Sequence, residues 1–78
     1  MKNMLIADNH NRKSVIIEPS ELTVRQAFID NGMQPEVGLP FLNGVAVPEH
    51  KLDETILSLA GEADEYRLTK TVKSDGNF

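Results

Sequence analysis

The most constraining stretch of this chain is Pro40-Phe41-Leu42-Asn43-Gly44-Val45-Ala46-Val47-Pro48. An Asn-Gly pair stands between two short apolar runs, and a proline closes each side. Asn and Gly both tolerate positive φ, which a two-residue type I′ turn demands at its central positions, so the stretch predicts a β-hairpin. Pro40 and Pro48 lack amide hydrogens and suit strand ends or a sheet edge. A hairpin alone is marginal in water, so the rest of the chain must supply a sheet and a cover for it.

Seventy-eight residues allow one domain with a single modest core. Hydrophobic content of 40% with 26% charged residues belongs to a globular chain rather than a disordered one. The net charge of −4 argues against nucleic acid as the main partner, because phosphate binding rests on Lys and Arg. With no cysteine, disulfides, thiolate metal sites and a cysteine nucleophile are excluded. The apolar run at Met4–Ala7 is too short for a signal peptide or a membrane span, so no membrane partner is expected and a cytoplasmic chain is.

Read in order, Met4–Ala7 and Ser14–Glu18 are strands joined by the polar turn 8–13, with Met4, Ile6, Val15 and Ile17 inward and Leu5 and Ile16 outward. Thr23 and Gln26 form a capping box for a helix over about Val24–Asn31, with Ser20 a rival cap one turn earlier. Val24, Ala27 and Phe28 share one face of it, and Gly32 ends it. A loop over Gln34–Leu39 leads into the hairpin. Leu52, Ile56 and Leu59 recur at helical spacing, so Glu54–Ala60 reads as a short helix or 3₁₀ segment capped by Asp53, with a strand as the alternative. Glu65–Val72 is the last strand. Tyr66, Leu68 and Val72 face in, and Arg67, Thr69 and Thr71 face out. Residues 1–72 are then the domain, and Lys73–Phe78 reads as a loose tail.

The order of two strands, a helix, two strands, a helical turn and a final strand, at this length, resembles the β-grasp or ubiquitin-like fold. That fold is α+β, a mixed sheet packed against one main helix. Glu18-Pro19-Ser20 before the helix is similar to the segment ubiquitin has there. The Leu42–Pro48 hairpin and Tyr66-Arg67-Leu68 resemble the sulfur carriers of thiamine synthesis and the small subunit of molybdopterin synthase. Those carriers end in Gly-Gly, whose carboxylate an activating enzyme adenylates. At the equivalent place this chain has Lys73-Ser74-Asp75-Gly76-Asn77-Phe78, with one glycine and a bulky terminus.

His10 and His50 are the only histidines, and each has acidic neighbours, but a metal site needs three or four converging ligands. None of Ser14, Ser58 or Ser74 carries the spacing of an activated nucleophile. The carboxylates from Glu49 to Glu54, with Glu62, Asp64 and Glu65, read as a solvated face. No metal, no cofactor and no catalytic residue is expected, and the chain is not expected to be an enzyme.

The resemblance implies a helix on one sheet face and an open face that binds proteins. Leu5 and Ile16, with one of Phe41 or Leu42, fall on that open face, rimmed by Arg67, Thr69 and Lys73. Leu5, Ile16, Leu42, Arg67 and Thr69 are therefore the expected protein-binding residues. The reading is a non-catalytic protein-interaction module, an adaptor, regulator or accessory subunit. It would bind another protein through the open face or a sheet edge, and be itself a monomer or weak dimer. A carrier or modifier acting through its C-terminus is the first alternative. Nucleic-acid binding through Arg12, Lys13, Arg67, Lys70 and Lys73 is the second.

Overall fold

A computed structural model describes residues 1–71. Its elements are β1 (Lys2–Ala7), β2 (Arg12–Ile17), α1 (Val24–Asp30), β3 (Leu39–Leu42), β4 (Val45–Ala46), a 3₁₀ turn at Glu49–Lys51, α2 (Ile56–Ala60) and β5 (Glu65–Thr71). The strands form one sheet in the order β2-β1-β5-β3-β4. β1 and β5 run parallel, and every other pairing is antiparallel. The molecule is thus α+β, a mixed five-stranded sheet packed against one main helix, as a β-grasp-like fold requires.

Local chemistry explains each boundary. Asp8 accepts the backbone N–H groups of His10 and Asn11, at 2.8 and 2.7 Å, and so closes the β1–β2 turn. Those bonds, the one from His10 foremost, hold its carboxyl below the usual carboxylate range. Thr23 caps α1 by accepting from the Gln26 amide at 3.1 Å. The reciprocal half of the capping box is not made, because the Gln26 side chain reaches forward to Asp30 Oδ1 at 2.6 Å. At the other end, the Gly32 N–H donates to Ile29 O and the Met33 N–H to Phe28 O, the paired bonds of a Schellman motif. Gly32 takes the left-handed φ of +77° that this motif needs. The expected return of Met33 follows, and its side chain is buried.

The hairpin has the expected geometry, with φ of +51° at Asn43 and +86° at Gly44. Asn43 also fastens it to β5: its N–H donates to Arg67 O at 2.9 Å, and its Oδ1 accepts the Arg67 N–H at 2.8 Å. An Asn43→Ala substitution loses that acceptor and sets a Cβ in left-handed backbone without a polar side chain to offset it. We expect a loss of about 1 kcal/mol, read as a lower urea midpoint at unchanged m-value.

α2 forms where helical spacing placed it, but it starts at Ile56 and its cap is Thr55, which accepts from the Ser58 amide at 3.1 Å; Asp53 is not the cap. Asp53 is engaged elsewhere, in an ion pair with Arg25, which also bonds Glu36. The hydrogen bond from Arg25 to Asp53 is the chief cause that raises the guanidinium above its ordinary value. The two helix starts are tied together by a Thr23–Thr55 bridge and by Ile56 N–H to Leu22 O at 2.8 Å.

The core lies between the sheet and α1, from Met4, Ile6 and Ile17 through Phe28, Leu42 and Ile56 to Tyr66 and Leu68. Met4, Ile6, Ile17, Tyr66 and Leu68 face it as expected, and Val15 packs against it half-buried. Two expectations of which side chains are exposed are corrected. Leu42 is a core residue, 2% exposed, because its cross-strand partner on β5 is Leu68, itself on the helix side. Lys70 is no surface cation: alternation along β5 carries Tyr66, Leu68 and Lys70 to the same face, and Lys70 is 4% exposed. Val72 and the tail 73–78 lie outside the described residues.

Candidate functional site

The sheet registers define what stands on the uncovered face, since directly paired residues point the same way. One row crosses all five strands: Arg12, Ala7, Thr69, Phe41 and Ala46. A second row is Ser14, Leu5 and Arg67, and a third is Ile16, Asn3 and Glu65.

Four of the five expected binding residues therefore share this face. Ile16 and Arg67 are exposed, while Leu5 and Thr69 are half-buried. Leu42 does not join them. Its place is taken by its neighbour Phe41, 41% exposed and paired with Thr69. Leu39, which the sequence put in a loop, is the first residue of β3 and adds a second apolar side chain beside Phe41, 47% exposed. Lys73 lies outside the described residues.

The apolar surface is split. Leu5 and Ile16 are diagonal neighbours on β1 and β2, and Leu39 and Phe41 follow one another on β3. Strand β5 runs between the two groups, so about two strand spacings, roughly 10 Å, separate them. Arg67 and Thr69 on β5 fill that gap. Two apolar groups thus stand around a polar spine, with Arg12, Arg67 and Glu65 in those same rows.

His10 lies in the β1–β2 turn and His50 in the 3₁₀ turn, both exposed. Among the described residues no group of three or more His, Cys, Asp or Glu side chains is placed to hold a metal ion. Among them, too, no helix is long and apolar enough to cross a membrane.

Lys70 is the feature that residue-type reasoning missed. Its ammonium lies 4.4 Å from the centre of the Phe28 ring, a cation–π contact, and Nζ has no hydrogen-bond partner among the described residues. Burial pushes it below the ordinary lysine value, while the more distant carboxylates of Asp8 and Glu36 pull it back up. The signal for it was the period-two pattern of β5 carried one step past Leu68.

The chain matches no protein-family profile and no curated protein.

Proposed function

We propose that this chain is a non-catalytic protein-interaction module that docks a partner protein on the open face of its sheet. The observation that carries the reading is the exposure of large apolar side chains there, 61% for Ile16, 47% for Leu39 and 41% for Phe41. Apolar groups gathered on one side of a small domain and rimmed by polar ones mark a contact surface. Leu5 and Ile16 make one contact, Leu39 and Phe41 the other, and Arg67 and Thr69 supply polar bonds between them. The fitting partner presents apolar side chains with a carboxylate between them to meet Arg67.

The finer kinship, with the sulfur-carrier branch of β-grasp proteins, belongs to the same proposal. Its support is the Asn43-Gly44 hairpin seated on β5 and the place of Tyr66-Arg67-Leu68 in the central strand. Carrier chemistry itself would act through the terminal carboxylate. Incubation with ATP and an activating enzyme tests it, and formation of an adenylate or thiocarboxylate would replace the docking reading.

The docking reading is tested with Phe41→Asp and Ile16→Asp. Both side chains stand in water, so both variants are expected to keep the wild-type circular dichroism and thermal midpoint. Proteins captured from lysate by the immobilised wild type should be lost from both, identified by mass spectrometry. Capture unchanged in both variants removes the proposal, and an unfolded Ile16→Asp would place Ile16 in the core.

A further inference from the structure

The sheet has two edges, and they differ. β4 is two residues long, follows the Asn43-Gly44 turn and leads into Pro48, so it offers almost nothing to an incoming strand. β2 is six residues long, pairs among the described residues only with β1, and contains neither proline nor glycine. Every second residue of β2 therefore turns an N–H and a C=O outward along a continuous edge. What β2 carries instead of a block is a charge polarity. Arg12 and Lys13 open it, and Glu18 follows its last residue with Glu21 close behind.

We propose that the free edge of β2 pairs antiparallel with β2 of a second copy, joining the two sheets across a two-fold axis. The proposal does not rest on the open-face reading. Antiparallel self-pairing is the arrangement that sets the cationic end of one copy against the acidic end of the other, whereas a parallel partner would set like charges together. Cross-strand partners share a face, so only registers with an even residue sum are allowed. The register that places Val15 opposite Val15 puts Arg12 opposite Glu18. A shift of two residues puts Arg12 opposite Ile16 in one direction, or Glu18 opposite Ser14 in the other, and loses that pair. The two-fold repeats each contact, so the Arg12–Glu18 pair forms twice.

The helix side fits the same register. A groove of about 450 Å³ runs between β2 and α1, with Val15, Ile17, Leu22 and Ala27 among its walls and Glu21 on its rim. Lys13 of the arriving strand falls opposite Ile17, and its ammonium, which within one copy donates to Asn31 O at 3.4 Å, turns in the pair toward the acidic end. An antiparallel strand matches the charges of this edge when it is cationic first and acidic last, the polarity that β2 itself carries. The axis stands perpendicular to the sheet, so both open faces end on one side of the dimer.

A seam of six residues, about 20 Å, is well below a standard interface, so the dimer is weak and forms only at high concentration. In sedimentation equilibrium we expect the mass to climb from 8.7 kDa toward double between about 10 µM and about 1 mM, and to fall back in about 1 M NaCl. The double variant Arg12→Glu with Lys13→Glu should stay monomeric across that range, and so should Glu18→Lys with Glu21→Lys. Mixed in equal amounts, the two should form a heterodimer, because each supplies the charge the other needs. A wild type that stays monomeric at about 1 mM overturns the proposal. So does a dimer that survives in both variants, or a mixture of two folded variants that remains monomeric.

Discussion

Phe28→Ala is expected to cost about 3–5 kcal/mol, close to the whole stability of a domain this size. Phe28 is fully buried and heads the largest side chains of the core. It lies on α1, a helix of seven residues, too short to persist without tertiary packing. Removing the ring takes away the contacts that hold α1 on the sheet, and the Schellman closure at Met33 depends on the same turn. The loss therefore spreads beyond one cavity. It also strips the π-face from beneath the Lys70 ammonium, 4.4 Å away, and leaves that charge with less to offset its burial. Urea denaturation followed by far-ultraviolet circular dichroism should show a chain largely unfolded near 37 °C. Ile29→Ala serves as the control. Its side chain follows Phe28 directly but is 51% exposed, so its substitution should stay within about 0.5 kcal/mol. A Phe28→Ala loss below about 1 kcal/mol would mean that the core is centred elsewhere.

Period and turn chemistry make most of this fold legible in the sequence. Met4 and Ile6, Ile17, and Tyr66 and Leu68 alternate cleanly, and each faces the helix. Asn43-Gly44, Thr23 and Gly32 are residues whose backbone preferences name their own positions, and all three stand where those preferences put them. The hairpin strand was harder. Pro40, Phe41 and Leu42 are three apolar residues in a row, so alternation within the segment says nothing about which of them faces in. Their register comes from β5: Leu42 pairs with Leu68 and Phe41 with Thr69, a contact between segments far apart in sequence. A slip of one residue exchanges the faces, which is how Leu42 came to be expected outside and Phe41 became the exposed one. The cap of α2 shifted for a related reason. Asp53 and Thr55 are both good caps, and the claim of Arg25 on Asp53, made by another helix, is invisible locally. Lys70 is the opposite case, because the pattern pointed inward and the residue type argued outward.

That conflict at Lys70 leads to the second large effect. Lys70→Met is expected to stabilise the domain by about 2 kcal/mol at neutral pH. An ammonium left buried without a hydrogen bond costs about 1–3 kcal/mol, and desolvation adds to this. The contact with Phe28 returns part of that cost, and the fields of Asp8 and Glu36 return a little more. Methionine keeps the length and flexibility of the side chain and can remain against the ring without a charge to desolvate. The pH dependence supplies an independent check. Burial sets the folded value of Lys70 below its ordinary 10.5, so between the two the unfolded chain binds the extra proton. Stability then rises with pH across that window and levels off above 10.5, where both states are neutral. Below the folded value lysine is charged in both states, and its contribution is flat at its least favourable level. The wild type should therefore gain stability relative to Lys70→Met as the pH climbs toward 10.5, and the difference between them should narrow. Urea midpoints at neutral pH and near pH 10 for both proteins give the comparison directly. A methionine variant less stable than the wild type at neutral pH, or a gap that stays constant with pH, would show that the ammonium has a partner and stands in a wetter place than this core provides.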